Sequence, residues 1–215
     1  MGRLIVIEGL DGAGKRTLAD GLVAALGSRR LTVARQAFPR YGEDVHADLV
    51  SEALHGRHGD LVDSVYGMAV LYALDRAGAS GWIRAALEVN DVVLLDRYVA
   101  SNAAYQAARC HQGADGEVVT WVRELEIDRL GLPLPDAQLL LRVPAGLAAG
   151  RARKRERTEA GRDRDAFESD SGLQERCAVV YEELAAAGWL APWLVLDGRS
   201  ELDFAALATA LLDQV

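Results

Sequence analysis

Cysteine is almost absent: Cys110 and Cys177 are the only two among 215 residues. Two cysteines make no disulfide framework, and the chain suits a reducing, cytoplasmic compartment. Lysine is equally scarce, with Lys15 and Lys154 alone and every other basic side chain an Arg. No run of about 18 uncharged apolar residues occurs, so no membrane-spanning helix is expected. The first apolar run ends at Glu8, too early for a signal peptide. Position 6 lacks the Ser or Thr favoured for myristoylation. No Pro/Ser-rich linker, internal repeat or low-complexity tract divides the sequence, and one domain over 1–215 is expected.

What the chain has in bulk is apolar side chain. Hydrophobic residues make up 50% of it, which excludes a disordered polymer. Acidic residues outnumber basic ones by 32 to 24, for a net charge of −8, and that balance argues against a nucleic-acid binder. The average hides a local reversal. Residues 151–164, RARKRERTEAGRDR, carry seven basic and three acidic side chains, so this segment is +4 and the remainder −12.

Apolar patterning predicts strands over 3–8, 31–38, 92–95, 138–143 and 193–196, each a short run of the kind buried in parallel sheets. Helical spacing covers 17–26, 43–54, a stretch from Asp60 as cap to about Ala77 and onward toward Val89, 101–110, 118–130 and 167–187. Pro144 suits the first turn of a helix entering the basic segment. Ser200 with Asp203 suits the cap of a last helix. Strands alternating with helices predict an α/β domain with a five-stranded parallel sheet and right-handed crossovers. The basic segment, about 147–166, reads as an inserted lid.

The most informative stretch follows the first strand. Gly9-Leu10-Asp11-Gly12-Ala13-Gly14-Lys15-Arg16-Thr17 carries the Gly-x-x-x-x-Gly-Lys spacing of a Walker A loop, in the strand–loop–helix context that motif requires. Glycines let consecutive backbone N–H groups wrap a phosphate, and the helix adds its positive end. Lys15 brings a mobile charge to the β- and γ-phosphate oxygens. One position departs from the motif: Arg16 stands where Ser or Thr normally touches Mg2+, and Thr17 comes one residue later. The metal then has to be held by carboxylates or through water, with Asp11, Asp96 and Glu168 as candidates. Arg16 is placed to add charge near the donor phosphates.

Asp96 ends the third apolar run, as a Walker B carboxylate does. Arg97 emerges beside it at the carboxyl edge of the sheet, where α/β proteins bind ligands. Its planar fork suits a phosphate; a structural ion pair with a neighbour is the alternative. Tyr72 and Arg76 are four apart and share a helix face, either to stack and hydrogen-bond a base or as part of an ordinary amphipathic helix. Asn102 offers both a donor and an acceptor to an imide edge, and Tyr105 follows on the same face.

Residues 94–106, LLDRYVASNAAYQ, resemble the signature of thymidylate kinases: Asp-Arg-aromatic, then Ser and a small or polar residue, then an aromatic on the next helix turn. Phe38-Pro39-Arg40-Tyr41-Gly42 and Leu74-Asp75-Arg76 agree with the same family. The Gly-Lys-Arg-Thr loop is similar to that of its actinobacterial members. The resemblance implies the P-loop nucleoside monophosphate kinase fold with a helical lid. It also implies ATP-dependent, Mg2+-requiring phosphorylation of dTMP to dTDP by a homodimer paired through helices that follow the second and third strands.

The same resemblance implies roles. Arg76 and Asn102 read the thymine edge, and Tyr72 stacks on the ring where a Phe is more usual. Phe38, Pro39 and Tyr41 line the monophosphate pocket, to which Ser101 also belongs. Arg97, Tyr41 and the metal hold the phosphate. Asp11 lies between the sugar 3′-hydroxyl and the metal, and Tyr105 crowds the 2′ position to favour deoxyribose. Phe167 and Glu168 close the pocket from the lid side, with Phe167 where close relatives carry Tyr.

Thymidylate kinases divide by the location of the arginine that stabilises the moving phosphoryl group. The stretch Asp11-Gly12-Ala13 holds none, which implies the type with lid arginines. Phosphoryl transfer needs cations around a transition state whose charge spreads over equatorial oxygens. A cation that arrives on closure also limits hydrolysis of ATP by water. Arg151 and Arg155 share one helix face and Arg153 and Arg157 another; Arg155 is the expected catalytic contact. Another P-loop nucleoside monophosphate or small-metabolite kinase is the alternative. No guanine-reading Asn-Lys-x-Asp occurs, which argues against a GTPase switch. Residues 116–136 offer no readable chemistry.

Overall fold

Three of the apolar runs form the buried middle of one parallel sheet. In the computed structural model, which describes residues 1–158 and 165–213 except the side chains at 155, 157, 158 and 213, β1 (Arg3–Glu8) lies between β3 (Val92–Asp96) and β4 (Ala137–Arg142). The edges are β2 (Val33–Ala37) and β5 (Trp193–Asp197), giving the order β2-β3-β1-β4-β5. Composition follows position. Leu4, Ile5, Val6 and Ile7 of β1 and Val92, Val93, Leu94 and Leu95 of β3 are buried, as strands covered on both faces are. The edge strand β2 admits Arg35 and Gln36. The register sets Asp96 beside Ile7 and Ala37 at the carboxyl edge. There the chain switches from one side of β1 to the other, which opens a crevice for ligand.

The helices place their own boundaries by capping. α1 (Lys15–Ser28) starts directly from the phosphate loop. α2 (Val45–Leu54) is capped by Asp44, which accepts from His46 N. The expected cap at Asp60 is corrected to Ser64, because a 3₁₀ turn at Leu61–Asp63 intervenes. Ser64 Oγ accepts from Gly67 N and starts α3 (Val65–Val89). α4 (Val99–Arg109) is buried at every residue from Val99 to Ala108, as expected of a helix covered on all sides. It packs against α3, α5 (Glu117–Arg123) and α8 (Ser171–Ala186).

Two expected helices are revised. The one over 118–130 is α5 continued by a π-helical turn, Glu124–Arg129, which carries Glu126 inward to complete burial. Such turns re-aim side chains and recur at functional sites. The one over 167–187 is split into α7 (Ala166–Ser169) and α8, because the Asp170 carboxylate accepts from Leu173 N and begins a new helix. α6 (Ala145–Thr158) follows Pro144 as expected. Asp203 supplies the cap of α9 (Phe204–Asp213), accepting from Ala205 N and Ala206 N. Among the described residues no helix is long and apolar enough to cross a membrane.

Candidate active site

The phosphate loop has the backbone that its glycines permit. Gly9, Gly12 and Gly14 have φ of 141°, 86° and 107°, a region closed to most side chains. Space is as restrictive as torsion: a Cβ on Gly12 would lie 2.1 Å from the Ala148 carbonyl oxygen, so the loop packs against the first turns of α6. Lys15 is buried, and its Nζ donates to the carbonyls of Gly9 (3.2 Å) and Leu10 (3.0 Å), 4.0 Å from Asp11 Oδ1. Burial lowers the Lys15 pKa and Arg97 adds to that, against the pull of Asp11, Asp96 and Glu8. Arg16 and Thr17 line the cleft from exposed positions on α1.

That cleft has a volume of about 990 Å³ and runs from the loop to Tyr72, Arg76 and Asn102, large for a small-molecule site. Arg97 stands in its middle with φ +68°. Its Nη2 donates to Asp11 Oδ1 (2.6 Å) and the Tyr105 hydroxyl (3.4 Å), and its Nη1 to Ser101 Oγ (3.0 Å) and the Tyr181 hydroxyl (3.2 Å). The guanidinium also lies 5.3 Å from the Tyr105 ring centre. Behind it, Glu8 ends β1 fully buried and accepts from Tyr98 N, Ser101 N, Ser101 Oγ and the Tyr181 hydroxyl. Complete burial raises the Glu8 pKa, against the Ser101 hydrogen bond and the Arg97 charge.

Burial also acts to raise Asp11. The Arg97 and Lys15 charges, with hydrogen bonds from Arg97 and Tyr105, overcome it and hold the carboxyl well below the ordinary 3.8. A depressed folded value stabilises the fold above the unfolded one, and that contribution is lost as pH falls through the folded value. Asp11→Asn should therefore unfold at a lower temperature than the parent chain at pH 7, with the gap narrowing steadily below about pH 4. Thermal melts at several pH values check this. A gap that widened on acidification would remove the Asp11–Arg97 pair as its source.

The far end of the cleft is built on buried charge. Arg76 gives Nε and Nη2 to Glu126 (2.5 and 2.7 Å), and Asn102 Nδ2 donates to Glu126 (2.8 Å) and the Ala69 carbonyl (3.0 Å). Glu126 lifts the Arg76 pKa over the opposing effect of burial. Asp75 and Asp44 clamp Arg40, whose own N–H donates to Asp75 at 3.0 Å. This fixes the Phe38–Pro39 turn, a cis peptide, against the cleft. Phe38, Pro39, Tyr41, Tyr72 and Ser101 all line the cleft.

From α7, Phe167 stacks on Tyr105 with ring centres 6.2 Å apart. Arg151 reaches the phosphate loop, donating to the Ala13 carbonyl at 3.0 Å and to Gly198 at 3.3 Å. Lys154, though exposed, also lines the cleft, whereas Arg153 is not among the side chains that line it. This favours the face carrying Arg151 over the face carrying Arg153. The expected catalytic side chain, Arg155, lies outside the described residues. Asp96 has its Oδ1 buried without a hydrogen-bond partner among the described residues. Asp11, Asp96 and Glu168 all line the cleft, but no group of three or more acidic, His or Cys side chains forms a metal cage among the described residues.

A family profile described as thymidylate kinase matches residues 7–198. A thymidylate kinase of Mycobacterium tuberculosis is 54% identical over 208 residues, 97% of this chain and 96% of its own. The chain belongs to the thymidylate kinase family. Thymidylate kinases of Leifsonia xyli (40% identical, 86% of this chain and 82% of its own) and Akkermansia muciniphila (34%, 90% and 82%) are also similar. The chain is thus a phosphotransferase that phosphorylates dTMP to dTDP with ATP.

In this member of the family the expected loop, Arg97, Tyr105, Arg76 and Asn102 all line one cleft. Of the two alternatives for Arg97, the ion pair is present, with Asp11, and the guanidinium also lines the cleft. Three buried residues escaped the sequence reading. Glu8 looks like the last residue of an apolar strand, Tyr181 like core of α8, and Glu126 lies in a stretch that seemed chemically silent. For Glu8 the visible signal was one carboxylate closing an apolar strand; Glu126 has Glu124 and Asp128 close by in sequence, so composition did not single it out.

Proposed function

We propose that dTMP lies with its base against Arg76, Asn102 and Tyr72 and its phosphate at Arg97, while the ATP phosphates occupy the loop around Lys15. One observation supports this most: a single cleft joins the two ends, with the Arg97–Asp11 pair between them. An oxygen of the dTMP phosphate attacks the γ-phosphorus of ATP, and the bond to the β–γ bridging oxygen breaks as ADP leaves. The attacking oxygen is already ionised near neutral pH, so no general base is needed. Lys15, Arg97 and Arg151 or another lid cation neutralise the developing charge. The side chain of Tyr105, at the sugar, crowds a 2′-hydroxyl.

The unpartnered Asp96 Oδ1 fits a Mg2+ held through one or two carboxylates and substrate phosphates. Asp96 and Asp11, with Glu168 from the lid side, are the residues that would hold it. When bound, the metal neutralises phosphate charge. A cytoplasmic homodimer is also proposed. α4 is already covered within the chain, so the paired helices are α2 and α3, which expose Val45, Tyr66 and Trp82.

A coupled assay with dTMP, dUMP, dCMP, dGMP and AMP against ATP tests the reading. dTMP should have the highest kcat/KM of the set. Turnover of dCMP, dGMP or AMP equal to that of dTMP would favour the alternative of a broader nucleoside monophosphate kinase.

A further inference from the structure

The hydrogen bonds behind the base end of the cleft have a fixed direction. Glu126 is a fully buried carboxylate, able only to accept. It takes two bonds from Arg76 and one from Asn102 Nδ2, which also donates to the Ala69 carbonyl. Both partners of that amide group are acceptors, so its nitrogen must face them. Arg109 stands at the opposite end and can only donate. Its Nη1 gives to Gln106 Oε1 at 2.9 Å and its Nη2 to the Val62 carbonyl at 2.5 Å. Gln106 is thereby oriented as well, with Nε2 directed at Asn102 Oδ1, 3.3 Å away. Asn102 and Gln106 are buried at 3% and 0% exposure, so solvent does not compete for these bonds.

The consequence corrects the expectation that Asn102 presents a donor and an acceptor. Both of its amide hydrogens are already used, and what remains is one lone pair on Oδ1. Next to it in the cleft wall is the Arg76 guanidinium, donor only.

We propose that Glu126 and Gln106 are positioning residues that set base specificity, locking the Asn102 amide from both sides so that the wall reads acceptor at Asn102 and donor at Arg76. A base with a ring N–H beside a carbonyl, the imide edge of thymine or uracil, matches that order. A cytosine-type edge opposes it twice, with a ring nitrogen lone pair against Oδ1 and an amino group against a guanidinium. A site built to hydrogen-bond a substrate rejects the mismatched analogue because its own buried groups are left unpaired. The proposal rests on the base lying against Arg76 and Asn102.

The test measures kcat and KM for dTMP and dCMP with ATP, alongside thermal unfolding, in Gln106→Glu, Glu126→Gln and Asn102→Ala. Gln106→Glu keeps the size of the side chain and its bond from Arg109, but sets an acceptor against Asn102 Oδ1. Glu126→Gln gives Asn102 a neighbour that can donate, which releases the amide to turn over. In each the dTMP:dCMP ratio of kcat/KM should fall on the order of 30-fold, carried by KM for dTMP with KM for ATP unchanged. A merely structural defect lowers both substrates together and leaves the ratio alone. Glu126→Gln leaves Arg76 without its full counter-charge in the core; if it does not fold, Gln106→Glu decides. A ratio within about two-fold of the parent in folded Gln106→Glu overturns the proposal. Asn102→Ala separates the failures. If KM for dTMP is unchanged there, the base lies elsewhere and the site reading falls. If it rises while the ratio in the other variants holds, only the specificity proposal falls.

Discussion

Lys15→Ala should lower kcat by about 10³-fold while the protein melts close to the parent temperature. The loss is large because the ammonium sits enclosed by the loop, 3.0–3.2 Å from the Leu10 and Gly9 carbonyls, where the donor phosphates are proposed to lie. A charge already oriented in a water-poor site stabilises the transition state without reorganising. Arg16 cannot take over. It is exposed at the start of α1, and a planar fork does not enter a loop shaped around a point charge. The stability effect is small because its parts oppose: removal relieves repulsion from Arg97 and also takes a partner from Asp11, Asp96 and Glu8. Steady-state kinetics and a thermal melt on the same preparation check both halves. Turnover within about ten-fold of the parent would take the phosphate loop out of the chemistry.

Lys15 was legible because a phosphate loop is local. Gly9 to Thr17 folds on itself, and its spacing carries the geometry with it. The five strands were legible for a related reason, since burial on both faces leaves a continuous apolar run. Capping was less so: Asp60 is a sound cap residue by type, and the 3₁₀ turn that displaces the start of α3 to Ser64 leaves no mark in the apolar pattern. The base end was half legible. Arg76 and Asn102 stood out by spacing and by resemblance, but the carboxylate that holds both comes from 50 and 24 residues away. Nothing local marks such a partner. The helical period itself puts Glu126 on the buried face, four residues after Val122 and eight after Val118, but Glu124 and Asp128 lie beside it in sequence and nothing there says which basic side chain it meets.

Arg97 offers the sharpest separation of activity from stability. Arg97→Ala and Arg97→Gly should both lower kcat/KM for dTMP by about 10³-fold with little change in KM for ATP. Each removes the cation proposed to face the acceptor phosphate and leaves Asp11 held by Tyr105 and Lys15 alone. The two variants should nonetheless differ in melting temperature. Residue 97 has φ +68°, a conformation that costs an L side chain about 1 kcal/mol or more and costs glycine almost nothing. In the parent, that cost is offset by bonds to Asp11, Tyr105, Ser101 and Tyr181. In Arg97→Ala the strain persists without them. Arg97→Gly should therefore unfold about 2–4 °C above Arg97→Ala in a domain of this size, and both should unfold below the parent. If the alanine variant were the more stable, the left-handed backbone would not be the source of the cost. If either variant kept near-normal turnover of dTMP, the acceptor phosphate would have to be held by some other cation in the cleft.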